Sequence, residues 1–145
     1  MSRRYVAFEV GNTRYGLEIT EVKQIVGHEN VTPVPQAPPF VEGLINLSGD
    51  VVPVIAMRAR LGVTEGGVSR KGRVIVVEHA ARQYGLHVDD VREIVEVEDS
   101  DVTIQGTPIA GSESAFVSGE ARVGDGRLFL LSLQKLLDAS TEVTP

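Results

Sequence analysis

Apolar and polar positions alternate weakly from Tyr5 to Val10, and the stretch ends at Gly11-Asn12, a turn signal. From Arg14 to Ile19 the alternation is clear, with Tyr15, Leu17 and Ile19 on one face. The two stretches read as a β-hairpin. Val22, Ile25 and Val26 then fall at helical spacing after Thr20, a good N-cap, and Glu21, an anion suited to a helix start. A short helical turn ending at Gly27 is expected there. Val41 to Leu47 and Val51 to Met57 read as strands joined across Ser48-Gly49-Asp50. The second of these is apolar on both faces, as in a strand covered on both sides, and Pro53 within it marks an edge, a bulge or a barrel corner. Leu133 to Asp138 reads as a short C-terminal helix.

The pattern occurs twice. Tyr15 to Val26 returns 69 positions later as Tyr84 to Val95, with six of twelve residues identical. Asp89 and Asp90 stand where Thr20 and Glu21 stood, so a second capped turn is expected. Phe40-Val41-Glu42-Gly43, followed by an apolar run, returns as Phe116-Val117-Ser118-Gly119, followed by Leu128 to Leu133. Two copies are too few for a solenoid and point to a pseudo-symmetric pair. The repeat halves run about 5–62 and 73–138, with a Gly-rich linker at 63–72 and a frayed tail at 139–145. Four prolines between Pro33 and Pro39 make an extended connector. Asp99 to Glu113 reads as a long polar loop.

Composition agrees with this reading. Val outnumbers Leu by 23 to 11, and Val fits pleated sheet better than helix. Short strands with turns every eight to twelve residues make small β-barrels. Two copies then make two barrels, with an apolar seam between them. The net charge of −6 and the scattered basic residues argue against nucleic-acid binding. The chain has no cysteine, so it has no disulfide framework and no thiolate metal site. No stretch is long and apolar enough for a signal peptide or a membrane span, so a soluble cytoplasmic protein is expected.

Catalytic patterns are missing. His28, His79 and His87 lie far apart in sequence and lack metal-ligand spacing, so no metal site and no cofactor are expected. His87 alternates with Leu86 and Val88 and reads as an outward-facing strand residue. No GxSxG, GxGxxG or Walker pattern occurs. A binding module is favoured over an enzyme, with a small-ligand-binding barrel and a hydrolase as lesser alternatives.

The order of features is specific. It runs Tyr15-Gly16-Leu17, Glu21-Val22-Lys23-Gln24-Ile25, Thr32-Pro33-Val34-Pro35, Phe40-Val41-Glu42-Gly43-Leu44-Ile45-Asn46-Leu47-Ser48-Gly49, Val52-Pro53-Val54-Ile55 and Arg58. This closely resembles the CheW-like family of chemotaxis coupling proteins, from about residue 5 to 138. The resemblance implies a mainly β fold of two SH3-like five-stranded barrel subdomains with short helical turns and a C-terminal helix. It also implies a non-catalytic adaptor, monomeric in isolation, between chemoreceptor cytoplasmic tips and the regulatory domain of a CheA-type histidine kinase. Such an adaptor inserts in no membrane and associates with receptor arrays through its partners. Carried over by position, Val22, Gln24, Ile25, Asn46 and Ser48 are expected to contact receptor. Ser48, Gly49, Asp50 and Arg58 are expected to contact kinase.

Three positions depart from the family pattern. Ser48 replaces the Arg of the usual Asn-Leu-Arg-Gly, Ala56 the Asp of Asp-Leu-Arg, and Gln24 a frequent Glu. An interfacial Arg is worth about 2 kcal/mol, roughly thirtyfold in affinity. Ser loses its charge, its reach and its fork of donors. Two readings follow: a dedicated system with compensating changes in the partner, or a divergent paralogue that binds receptor and couples kinase poorly.

Overall fold

A strand buried on both faces must lie between two apolar layers, and this chain has several. The computed structural model describes residues 1–28, 31–36, 40–62, 72–104, 116–124 and 126–137. In the first half come β1 (Ser2–Val10), β2 (Thr13–Glu18), β3 (Val22–Gly27), β4 (Val41–Leu47), β5 (Asp50–Ala56) and helix α1 (Met57–Arg60). In the second come β6 (Arg73–His79), β7 (Arg82–Val88), β8 (Asp90–Glu98), β9 (Val102–Ile104), β10 (Val117–Val123), β11 (Gly126–Leu131) and helix α2 (Leu133–Leu137).

The strands form two sheets, ordered β8-β1-β2-β11-β10-β9 and β3-β6-β7-β5-β4. Neither follows the sequence halves. The β1–β2 hairpin belongs to the sheet built from second-half strands, and the β6–β7 hairpin to the sheet built from β3, β4 and β5. The repeated segments take equivalent places in the two sheets, with the leading hairpins exchanged between the halves. Register keeps the symmetry: Gly16 lies beside Leu130 in one parallel pairing and Gly85 beside Val54 in the other. Both sheets carry an SH3-like arrangement without a closed ladder. One continuous segment supplies both edges of the first sheet, passing from β8 to β9 through the turn Asp99–Asp101. In the second sheet Thr32 bridges Leu44 by two backbone hydrogen bonds of 2.8 Å, at the equivalent place.

Three apolar clusters follow from this arrangement. One lobe interior holds Tyr5, Ala7, Val95, Val97, Ala121, Leu128 and Leu130; the other holds Ile45, Val52, Val54, Val74 and Val76. The largest cluster is the seam between them, including Phe8, Tyr15, Leu17, Ile55, Met57, Ile75, Leu86, Val88 and Leu136. On β6, Val74 and Val76 turn into the lobe while Ile75 and Val77 turn into the seam, which explains the unbroken apolar run. The repeated Tyr-Gly-Leu has the same logic. Its Tyr and Leu face the seam, and its glycine faces a lobe interior already filled by the neighbouring strand. A Cβ at Gly16 would lie 2.8 Å from Leu128 Cδ2, and one at Gly85 would lie 2.7 Å from Val74 Cγ1.

Arg60 sits where the two copies meet. Its guanidinium lies over the rings of Phe40 (4.9 Å) and Phe116 (4.2 Å), two equivalent residues, and donates to the carbonyls of Leu136 (3.0 Å) and Lys135 (3.3 Å). It thereby joins both lobes to α2.

Several sequence expectations need correction. Val22 to Gly27 is strand β3, not a helical turn; only Ile19–Glu21 forms a single 3₁₀ turn, without a side-chain cap. Asp89 and Asp90 likewise cap no helix, and β8 begins at Asp90. Both strands contain a bulge, between Val22 and Gln24 in β3 and opposite Ala7–Phe8 in β8. The bulge breaks the two-residue period and mimics helical spacing. Pro53 lies in an interior strand, but β5 pairs with β7 only from Val54, so its missing N–H falls outside that ladder. The expected loop from Asp99 opens instead with a 3₁₀ turn, Asp99–Asp101, and strand β9, whose pairing with β10 overrides its polar local sequence. Residues 63–71 of the expected linker, the tail at 139–145, Asp138 of the expected helix and residues 105–113 of that loop lie outside the described residues.

Replacing Gly85 with Ala drives a methyl against Val74 and Val54, both stiff at χ1. We expect a loss of about 1–3 kcal/mol, read as a lowered urea midpoint at unchanged slope.

Candidate functional site

Edge strands present unpaired backbone groups and invite partners unless they are guarded. β3 is one edge of the five-stranded sheet and β8 one edge of the other. Ile25 on β3 is 40% exposed, and Ile94, its equivalent on β8, is 58% exposed. Two large apolar side chains thus stand on outer strands at matching points of the two lobes. Ile94 was not among the residues singled out from sequence, although the repeat that aligns it with Ile25 carried the signal.

The positions expected to contact receptor fall into two groups. Val22, Gln24 and Ile25 lie on β3. Gln24 and Ile25 are exposed, whereas Val22 is half-buried and packs against the seam. Asn46 and Ser48 lie at the end of β4, the opposite edge of the same sheet. The positions expected to contact kinase also divide. Ser48, Gly49 and Asp50 form the exposed β4–β5 turn, held by the Gly49 N–H donating to Asn46 Oδ1 at 3.1 Å. Both Ser48 (φ 51°) and Gly49 (φ 91°) adopt left-handed backbone, as a two-residue hairpin turn requires. Beside this turn Val51 is 61% exposed, and a broad depression of about 560 Å³ is lined by Asp50, Val51, Pro53, Glu78, Arg82 and Tyr84.

Arg58 lies in α1, just past the far end of the seven-residue β5 and roughly 20 Å from that turn. There it grips Asp89 with both arms, Nε to Oδ1 at 2.8 Å and Nη2 to Oδ2 at 2.6 Å. The same carboxylate accepts from the Gly11 N–H at 2.7 Å, and the Asp89 N–H donates to the Glu9 carbonyl at 2.9 Å. Asp89 therefore joins α1, the β1–β2 turn and the start of β8, tying one sheet to the other.

A second polar cluster was missed entirely. His28 just beyond β3, Glu42 at the β4 bulge and His87 on β7 converge, although the sequence separates them by as many as 59 positions. One Glu42 oxygen is in close contact with His28 Nε2, and the other accepts from His87 Nδ1 at 3.0 Å. The two imidazoles stack at 3.7 Å, 14° from parallel. Burial by itself would push the Glu42 carboxyl up. The hydrogen bonds and attraction of His87 and His28 outweigh it, and the pKa lies below its ordinary 4.5. His87 is thus an inward-turned, half-buried residue, not an outward-facing one.

The polar groups of both clusters tie separate segments of the chain together. A family model for the CheW-like domain matches residues 4–141. Chemotaxis protein CheW of Rhizobium meliloti (strain 1021) is 37% identical over 131 residues, spanning 89% of this chain and 83% of that protein. Chemotaxis protein CheW of Treponema pallidum (strain Nichols) is 29% identical over 138 residues, 92% of this chain and 81% of that protein. Among solved structures, the scaffolding protein TtCheW from Thermoanaerobacter tengcongensis matches with a TM-score of 0.89 at 30% identity, over 99% of this chain and 98% of that one.

Two outcomes follow from the polar clusters. Asp89→Ala removes the charged bonds that tie the sheets, and stability should fall by about 2 kcal/mol in urea unfolding. Glu42 has a folded pKa below its unfolded value, so its contribution is complete above pH 4.5 and disappears as pH drops through the lower folded value. Wild type should therefore lose its advantage over Glu42→Gln below pH 4.5, checked by unfolding both across a pH series.

Proposed function

This chain belongs to the CheW-like domain family, and from that premise we propose that it couples the cytoplasmic tips of chemoreceptors to the regulatory domain of a CheA-type histidine kinase. It is a scaffold protein, not an enzyme. The observation that carries the reading is the whole-length likeness to the scaffolding protein TtCheW, at a TM-score of 0.89. Among the described residues no helix is long and apolar enough to cross a membrane. The chain then works in the cytoplasm, attached to membrane receptors through its partners.

The exposed face of β3 supports receptor docking. Its free backbone edge offers hydrogen bonds, and Ile25 offers an apolar anchor beside Gln24. The Ser48-Gly49-Asp50 turn with exposed Val51 supports a second contact, assigned to the kinase. Arg58 contributes by ordering the end of β5 through Asp89.

One observation favours a weaker coupler. Ser48 stands exposed at the tip of that turn, at the position where the resemblance leads one to expect an Arg. A paralogue that holds receptor but engages the kinase loosely would follow. The backbone itself would accept Arg. Ser48 already occupies the left-handed region, so any side chain with a Cβ bears the same local cost there.

The test is binding of the purified chain to a cognate receptor cytoplasmic fragment and to a CheA regulatory domain, measured separately. Failure to bind either would sink the reading. Ile25→Lys should weaken receptor binding at least tenfold with an unchanged Tm, because an unpaired charge enters an apolar contact while the folded chain keeps it in water. Val22→Lys is the poorer probe, since its side chain packs on the seam and the variant should also lose stability. Ser48→Arg should tighten binding to a typical CheA regulatory domain by roughly tenfold or more. An unchanged Kd by calorimetry would show that the interface has been rebuilt around serine.

A further inference from the structure

We propose that His28, Glu42 and His87 form a binding site for a divalent transition-metal cation of the zinc class. One ligand atom from each residue lies within 4.8 Å of the others. A tetrahedral zinc with ligands at about 2.0–2.1 Å holds its donors roughly 3.4 Å apart, so adjustment of about an ångström and a half brings all three onto one ion. Two imidazoles and one carboxylate are a donor set for zinc, nickel or copper. Magnesium and calcium prefer oxygen alone. A fourth position would remain for water.

The surroundings fit this assignment. All three residues are partly buried, with side-chain exposures of 40%, 24% and 17%, so a cation there would be partly shielded and still reachable. A depression of about 200 Å³ opens beside Glu42 and His87. Its one basic lining residue, Arg58, is neutralised by its two-armed pairing with Asp89. Each imidazole now points a nitrogen at the carboxylate. Metal binding needs His28 Nε2 and His87 Nδ1 free of protons, so a neutral ring would carry its proton on His28 Nδ1 and His87 Nε2. Gly72 leaves the room required at His87 Nε2, since a Cβ there would collide with that nitrogen.

The symmetry of the fold gives an internal control. The positions equivalent to His28, Glu42 and His87 in the other lobe are Val97, Ser118 and Glu18. Val97 is buried in a lobe interior, Ser118 donates to the Leu130 carbonyl at 3.2 Å, and Glu18 pairs with Arg3 at 3.1 Å. The same architecture therefore closes without this cluster, so packing alone does not require two histidines around one carboxylate. The bulges at Val41–Gly43 and Val117–Gly119 are shared; only the first aims a carboxylate at imidazoles. A bound ion would clip the end of β3 to β4 and β7, fixing the exit of the edge strand.

The test is titration of zinc chloride into the full chain by calorimetry, with thermal unfolding in parallel. We expect one ion per chain and, at a hundredfold excess over Kd, a rise in Tm of about 5 °C or more. His28→Gln, Glu42→Gln and His87→Gln should each weaken zinc at least tenfold, while His79→Gln should not. NMR of the wild-type imidazoles gives a readout independent of whether variants fold: zinc should shift the signals of His28 and His87 and leave His79 in place. No stoichiometric binding at millimolar zinc, equal affinity in the three variants, or shifts confined to His79 would each overturn the proposal. Magnesium chloride should produce neither heat nor a change in Tm, and equal binding of magnesium would overturn the donor assignment. Receptor and kinase binding do not enter any of these readouts, so their outcome is separate from that of the adaptor reading.

Discussion

The apolar seam between the sheets is the constraint on which the rest of the structure depends. Two hairpins, β1–β2 and β6–β7, present one face to a lobe interior and the other to the seam. Each hairpin is supplied by one half of the chain and completes the sheet of the other half. Neither half can then satisfy its own ladder or cover its own apolar faces. The seam is therefore the core of a single cooperative unit, not an interface between two finished domains. Arg60, stacked on Phe40 and Phe116 and bonded to α2, adds a polar lock where the copies meet.

This interior organisation explains where change is tolerated. Positions that face the seam or a lobe interior keep their character between copies: Tyr15 with Tyr84, Gly16 with Gly85, Leu17 with Leu86, Phe40 with Phe116. Partly buried polar positions and exposed turns have diverged. Glu42 matches Ser118, His87 matches Glu18, and Ser48-Gly49-Asp50 matches Gly124-Asp125-Gly126. Packing a dense seam punishes variation, because volume changes there cost both transfer energy and strain. The outer edges are free of that demand, so a symmetric scaffold can carry asymmetric contacts. Such a body suits a scaffold protein, which must present different surfaces at fixed relative positions.

Local pairing across long sequence distances supplies the remaining rigidity. Asp89 gathers Arg58, Gly11 and the Glu9 carbonyl around one residue, joining both sheets at a point where their backbones change direction. Glu42 does the same for the exit of β3. In both cases a single carboxylate orders segments that would otherwise end freely, and in both the strand thereby steadied carries exposed positions assigned to partners. Charged hydrogen bonds serve this purpose better than apolar contact at half-buried sites, since they are directional and tolerate water nearby.

The sequence by itself determined the mainly β class, the internal likeness of its segments, a tight hairpin across Ser48-Gly49-Asp50, the apolar seam and the family. These are properties of short-range order: a period of two, a left-handed turn, a motif repeated at a fixed offset. Only the tertiary structure decided which strands share a sheet, because a period of two says which face is buried and nothing about which neighbour buries it. The same limit hid β3 and β8. Their bulges shift the phase by one residue, so Val22 faces the seam and Val26 a lobe interior, and the resulting spacing reads as a helix. The partners of Asp89 and the meeting of His28, Glu42 and His87 depend on the hairpin exchange, which places residues from separate segments of the chain side by side. No local pattern encodes that proximity, so it became visible only once the chain had closed.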